Sequence, residues 1–244
     1  MTDLKKKSAL GAEIPVRKNL LGMLSRIQLF ASLSAQELEG IAGKMLIKQY
    51  RKNNIVFYEE ETNEFMYMIL QGKVKVVQIT EGGKEIVLAL HRTGDFFGEM
   101  SLIDNRTTPA MVVSMEDSII AIIARETFRQ LLHTQGKMLD VMLRILCDRL
   151  RASWDRIQIL SFSSASQRIR MLLHVLSDEH GQKVKNGTML NVKLTHQDIA
   201  NMTGIARETV TRILDKLSRD GEVTVLKNKV FVLNDRFTER SLEC

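Results

Sequence analysis

Between Thr195 and Leu217 the chain reads THQDIANMTGIARETVTRILDKL, and no other stretch restricts the fold as strongly. Thr195 can cap a helix that starts at His196, with Asp198 at the third position. Gly204 follows after two turns and supplies a tight bend. The next helix is two-faced. Val210, Ile213, Leu214 and Leu217 recur at i, i+3, i+4, i+7 and must face a core, while Arg207, Glu208, Thr211 and Arg212 lie opposite. Helix, glycine turn and helix make a helix-turn-helix, whose second helix enters the DNA major groove. An outward arginine can fork onto guanine O6 and N7, and a glutamate can accept from the cytosine amino group. Glu208 and Arg212 are also i, i+4 neighbours, so each can hold the other. The following EVTVLKNKVFVL alternates about a Lys-Asn-Lys turn, a β wing whose Lys227 and Lys229 can touch phosphates. A solvated charged helix face would explain Arg207 and Arg212 alone. Turn, wing and a net charge of +6 together point to DNA.

Upstream the pattern differs. SRIQLFASLSAQELEGIAGKM reads as short helices, with Ser34 as an N-cap ahead of Glu37. From Gln49 short β runs take over, with Val74 and Val76 alternating against Lys73 and Lys75. Glu81-Gly82-Gly83 is a hairpin turn, followed by Ile86, Leu88 and Leu90 on one face. MVVSM and SIIAII continue the series. Many short strands with glycine turns indicate a jelly-roll-like sandwich. From Arg125 the period is helical to about Leu160. Leu139, Leu143, Leu146, Leu150, Ser153, Ile157 and Leu160 follow a heptad spacing, the signature of a helix that pairs with its own copy. SFSSAS (161–166) is small and polar and reads as a hinge. The fold class is therefore α+β, in five parts. These are a basic lead (1–27), a β-roll (28–129), a dimerisation helix (130–160), the hinge (161–166) and a winged helix-turn-helix domain (167–244).

These motifs, in this order, resemble the Crp–Fnr family of bacterial transcription regulators over about residues 28–234, and RETVTR keeps that family's Arg-Glu-x-x-x-Arg set. The resemblance implies that Arg207, Glu208 and Arg212 read bases and that Thr209 contacts phosphate. It implies a homodimer on a palindromic double-stranded site, with RNA polymerase as a partner. Ala206 and His196 depart from the serine and arginine of relatives, which thins the phosphate contacts. A nucleoid or RNA-binding protein needs no base readers, and a cyclic-nucleotide-regulated enzyme would need a nucleophile–base or metal motif that the chain lacks.

The resemblance also implies a cyclic-nucleotide-like effector site in GEMSLIDNRTTPA (98–110). Gly98, Glu99, Met100 and Ser101 match the opening of the family's phosphate cassette. Alignment through Ala110 then puts Thr108 where the phosphate-clamping arginine stands and Pro109 where a serine stands. Arg106 comes two residues early, about 7 Å along an extended chain. Pro109 has no N–H to offer an anion. Ser153-Trp154 replaces the adenine-reaching Thr-Ser pair, and Trp154 either fills the base site, stacks on another ligand or packs in the core. Arg149 keeps the place that pairs with Glu99. The site therefore reads as degenerate for cyclic nucleotide. The alternative is a cyclic-nucleotide-responsive regulator with Arg106 as the phosphate ligand.

No cofactor is secured. Two cysteines, Cys147 and Cys244, among 244 residues exclude a disulfide framework or cysteine cluster and fit a reducing cytoplasm. Cys147 reads as a buried small hydrophobe. The five histidines are scattered, so haem is not expected, although His91 lies on the roll. No metal site is expected. No apolar run approaches the roughly 20 residues of a membrane span, and the start lacks a signal-peptide h-region.

Overall fold

A computed structural model describes residues 19–59, 64–226 and 229–237. Its N-terminal part is a roll of two four-stranded sheets. β1 (Leu46–Tyr50), β3 (Phe65–Gln71), β6 (Phe96–Phe97) and β8 (Ser118–Ala124) form one sheet in the order β1-β8-β3-β6. β2 (Ile55–Phe57), β4 (Lys73–Ile79), β5 (Glu85–Arg92) and β7 (Met111–Ser114) form the other, in the order β2-β7-β4-β5. All the pairings are antiparallel, as a jelly-roll-like sandwich requires.

The strands β3 and β8 of the first sheet are buried on both faces, which explains why FMYMIL and SIIAII are almost unbroken apolar runs. Tyr67, Ile69, Ile120 and Ile122 point between the sheets, against Phe57, Val74, Phe97 and Val112. Met66, Met68, Ala121 and Ile123 point the other way, under α1 (Leu20–Leu24), α2 (Ala35–Ala42), α4 (Arg125–Thr134) and the start of α5 (Gly136–Ser161). Leu20, Leu24 and Ile27 are part of this layer, so the last third of the basic lead is core rather than tail; residues 1–18 lie outside the described ones. Ser34 and Glu37 form the capping box of α2 as read from the sequence.

The second sheet turns its outer face to the C-terminal domain. Val77, Val87 and Val113 share one core with Ile159, Ile169, Leu172 and Ile199. The expected face of Ile86, Leu88 and Leu90 is corrected here. Val76 pairs with Ala89 and Val77 with Val87, so Leu88 is the extra residue of a bulge. Ile86 and Leu88 face solvent, while Val87 and Leu90 join the junction core. Lys75 does not face solvent: its Nζ lies 2.6 Å from Glu85 and 3.5 Å from Asp198.

The helical run from Arg125 is two helices, not one. Gln135 breaks it at φ −117°, ψ 79°, and its amide donates to Glu37 Oε1 at 2.5 Å. α5 then runs 26 residues, from Gly136 to Ser161. The linker is shorter than 161–166, because α6 (Ala165–His180) already begins at Ala165, leaving Phe162–Ser164 between the helices. Arg168 secures this turn by donating to the Phe162 carbonyl at 2.7 Å. The C-terminal domain adds α7 (His196–Thr203), α8 (Arg207–Arg219) and a sheet in the order β11-β12-β10-β9. Its strands are β9 (Gly181–Val184), β10 (Gly187–Leu190), β11 (Val223–Val225) and β12 (Phe231–Leu233). Among the described residues no helix is long and apolar enough to cross a membrane.

Candidate nucleic-acid interface and effector cassette

Local chemistry sets the start of α7. The Thr195 hydroxyl accepts from the Asp198 N–H, and the Asp198 carboxylate accepts from the Thr195 N–H at 2.8 Å, a complete capping box. Gly204 ends the helix at φ 68°, a left-handed conformation that disfavours any side chain even where space exists. α8 starts after Ala206, whose side chain offers no cap. Val210, Leu214 and Leu217 are buried and Ile213 is half-buried. Arg207, Glu208 and Arg212 are exposed, and Thr209 and Thr211 are half-buried between the two faces. Arg212 turns to the Thr209 hydroxyl at 3.2 Å rather than to Glu208. The expected mutual hold of Glu208 and Arg212 is therefore absent, and Glu208 stays uncommitted. Thr211 donates to the Arg207 carbonyl at 3.0 Å and meets His196 Nδ1 at 2.8 Å, which ties α7 to α8.

The wing is anchored from below. Glu222, only 1% exposed, takes both guanidinium nitrogens of Arg170, at 2.5 and 2.9 Å. Val223 pairs with Leu233 and Val225 with Phe231. Lys229 sits at the turn with φ 62° and is exposed; Lys227 lies outside the described residues.

The cassette is closed by its own side chains. Gly98, at φ 87°, leads into α3 (Glu99–Asp104). The buried Glu99 accepts from Arg149 at 2.8 Å. The same guanidinium donates to the Phe96 carbonyl and lies 4.5 Å above the Phe96 ring. Ser101 and Thr108, both buried, bond each other at 2.8 Å. Met100 and Arg106 are exposed, and the Arg106 N–H is bonded to Asp104 Oδ1 at 3.0 Å. Two arginines unmarked by the sequence reading hold the exit of α3. Arg129 donates to the Leu102 carbonyl at 3.0 Å and to Asn105 Oδ1 at 2.9 Å, and Arg125 reaches the same oxygen at 2.8 Å. Their i, i+4 spacing at the start of α4 was the available signal.

Trp154 is 60% exposed, so of its three readings plain core packing is overturned. Ser153 donates back to the Arg149 carbonyl at 2.9 Å and is exposed. Leu139, Leu143, Leu150, Ile157 and Leu160 are all exposed along α5, an apolar stripe that none of the described residues covers; Leu146 is half-buried. Cys147, expected to be buried, is exposed beside this stripe.

The junction between the domains gathers charge. Burial holds the His91 ring down to about 3, with Arg149 and Arg156 adding to the effect. Burial likewise holds His180 down to about 4, helped by Arg92 and Arg156. Both ring nitrogens of His180 lack a hydrogen-bond partner. Burial raises the carboxyl of Glu179, 4.0 Å from Arg156, and that of Asp95. His91 stacks on Phe97 rather than facing an open cavity. Among the described residues no cluster of His, Cys, Asp and Glu could hold a metal ion.

A family model of the cyclic nucleotide-binding domain matches residues 47–135, and one of the Crp-like helix-turn-helix domain matches residues 167–236. The chain is 29% identical over 195 residues to the cyclic AMP receptor protein of Thermus thermophilus, spanning 80% of this chain and 87% of that protein. It is 27% identical over 189 residues to the global nitrogen regulator of a Nostoc species, spanning 77% and 85%. The solved structure of the c-di-GMP-responsive global regulator CLP of Xanthomonas campestris matches with a TM-score of 0.68 at 26% identity, over 82% of this chain and 99% of that one. FixK2 of Bradyrhizobium japonicum matches with a TM-score of 0.70 over 82% and 96%, and at 21% identity that likeness concerns the fold.

Proposed function

The chain belongs to the Crp–Fnr family of bacterial transcription regulators, which join an effector domain to a DNA-binding helix-turn-helix, and we propose that it acts as a homodimer on a two-fold symmetric DNA site. Arg207, Glu208 and Arg212 read bases, while Thr209, Thr211, Lys227 and Lys229 meet the backbone. The observation that carries this reading is the division of α8: its apolar face is fully packed and its Arg-Glu-Arg face is exposed. The half-site resembles the TGTGA element that the same residue set reads in relatives. The exposed stripe of α5 supports pairing with a second copy, which would bury it. The protein is not an enzyme, works in the cytoplasm and delivers its signal to RNA polymerase.

The names cyclic AMP receptor and c-di-GMP-responsive regulator attach to different nucleotides, so likeness alone fixes no effector. The cassette supports a ligand other than cyclic AMP. Thr108 stands in the clamp position and is already bonded to Ser101, and Arg106 points to solvent. Selection from random duplexes tests the reading. A palindrome should emerge that the parent binds and that Arg207→Ala binds with relaxed base preference; selection without a palindrome refutes it. Light scattering should find dimers for the parent and monomers for Leu146→Glu, because a charge buried between the partners is very costly.

A further inference from the structure

Four polar side chains meet where the roll touches the helix-turn-helix. Lys75 lies on the outer face of β4, two residues before the junction valine Val77. Its Nζ stands 2.6 Å from Glu85 Oε1, on the neighbouring strand β5, and 3.5 Å from Asp198 Oδ1, on α7. Glu85 Oε1 also accepts from Asn201 Nδ2 at 3.0 Å. Asn201, about one turn after Asp198 and only 6% exposed, accepts in turn from Gln197 at 2.8 Å. One ammonium thus holds two carboxylates, one from each domain, and an amide makes a second crossing between them.

These contacts lie on the route from the dimer helix to the recognition helix. The roll is tied to α5 by Arg149, which bonds Glu99 and the Phe96 carbonyl. α7 is tied to α8 by His196 Nδ1 and the Thr211 hydroxyl, 2.8 Å apart, and by the core that Ile199 shares with Val210 and Leu214. Along the backbone only Phe162–Ser164 separate α5 from α6, and domains pivot at such short segments. The apolar part of the junction resists separation but has no direction. Hydrogen bonds and ion pairs do have direction, and fixing register is the best-attested use of buried polar groups. The reading face is left open: Arg207, Glu208 and Arg212 are all exposed.

We propose that Lys75, Glu85, Asp198 and Asn201 are positioning residues that set the distance between the two recognition helices of the dimer, and so the half-site spacing it accepts. The proposal rests on the homodimeric DNA-binding reading above. Helix-turn-helix dimers read half-sites about 34–36 Å apart, one turn of DNA, so a base pair added or removed shifts one half-site by about 3.4 Å and turns it by about 35°. A domain held in one register rejects that change. A domain held by apolar packing and Phe162–Ser164 alone follows it. Lys75→Met does more than cut a tie, because the Glu85 and Asp198 carboxylates then face each other without the ammonium that held both.

The test measures the affinity of the full chain at fixed salt for three palindromes and for a duplex carrying one half-site. The palindromes are the selected one and its versions with one base pair added to or removed from the centre. The parent should lose at least about tenfold on either change of spacing, because both helices must stay in register with the groove. Lys75→Met on the roll and Asn201→Leu on α7 should each bind the three spacings within about threefold of one another, and bind the single half-site as the parent does. Circular dichroism checks folding; if Lys75→Met does not fold, Asn201→Leu decides, and if neither folds the four residues build the fold and the proposal is overturned. A parent that tolerates all three spacings overturns it, as does a folded variant that keeps the parent's discrimination. So does a folded variant that loses the single half-site, since the residue then acts on the contacts of α8 and not on its placement. If the parent binds no palindrome, or scatters light as a monomer, the reading beneath fails first and this one with it.

Discussion

α3 and α8 both carry a glutamate in the first turn and have an arginine within reach, yet the two pairs end in opposite states. Glu99 is buried and bonded to Arg149, which is itself bound to a carbonyl and laid over an aromatic ring. Glu208 is exposed, and Arg212 turns to a threonine instead. The cassette has spent its polar groups on one another, as Ser101 and Thr108 also have. The recognition face keeps Arg207 and Glu208 exposed for a partner from outside. Identical residue types thus mark a closed site and an open one, and burial separates them. A third pair, Arg170–Glu222, is the extreme of the closed kind.

The largest effect should come from opening that third pair. Arg170→Met takes both guanidinium hydrogen bonds from the buried Glu222 carboxylate, and removing one partner of a buried pair costs about 3–5 kcal/mol. Thermal denaturation should show a correspondingly lower Tm. An unchanged Tm would mean that the closed pairs are no firmer than the open one.

Acid should act next, at the junction. Histidines released from burial titrate near 6.5. Above that pH both states are neutral and the packed rings cost nothing. Below it the released rings bind protons while the packed ones, held down to about 4 and 3, do not. Stability is therefore lost as pH falls from about 6.5 toward 4, by about 2 kcal/mol per ring at pH 5. The raised carboxyls of Glu179 and Asp95 act in the opposite sense, so the loss flattens as they protonate. Replacing both histidines by Gln should abolish this acid loss in denaturant titrations and leave only the opposite trend of the two carboxyls.

The cassette prediction is about one decade smaller than the first. A missing bidentate arginine removes hydrogen bonds of roughly 1.5–3 kcal/mol each, about a hundredfold in affinity. Calorimetry with cyclic AMP should give no heat at millimolar nucleotide. The paired change Thr108→Arg with Pro109→Ser should create binding, aided by Trp154→Ser. Tight binding by the parent that Arg106→Ala abolishes would break the contrast between closed and open sites. Smallest is Arg207→Ala, at about 1–3 kcal/mol of base discrimination with folding stability unchanged; binding assays on single-base variants of the site measure it.

Legibility in the sequence followed the range of the interaction. Both capping boxes, Gly204 and the two faces of α8 were readable because each depends on neighbours within a few residues. The bulge at Leu88 was not, because register belongs to the strand opposite. The break at Gln135 has helical sequence on both sides and is stabilised by Glu37, far away in the chain. Lys73 and Lys75 had the pattern of a solvated face. Lys75 instead reaches Asp198 across the junction, a partner that no local period announces. The free Glu208 was missed for the converse reason: i, i+4 spacing permits a pair without requiring one.

The core shared by Val77, Val87 and Val113 with α6 and α7 has a consequence for how the protein is made. The ribosome delivers the roll first, and every strand of it is out once Ala124 has emerged. At that moment the outer face of β4, β5 and β7 has nothing to cover it, since its cover starts only with Ile159 and Ile169 and ends with Phe237. For the time needed to add more than a hundred residues, the nascent roll carries an open apolar sheet face. A fragment stopped at Ser161 would carry that face permanently. The half that senses is therefore the half that sticks and self-associates when synthesis is interrupted, and the DNA-reading half serves during biogenesis as its lid.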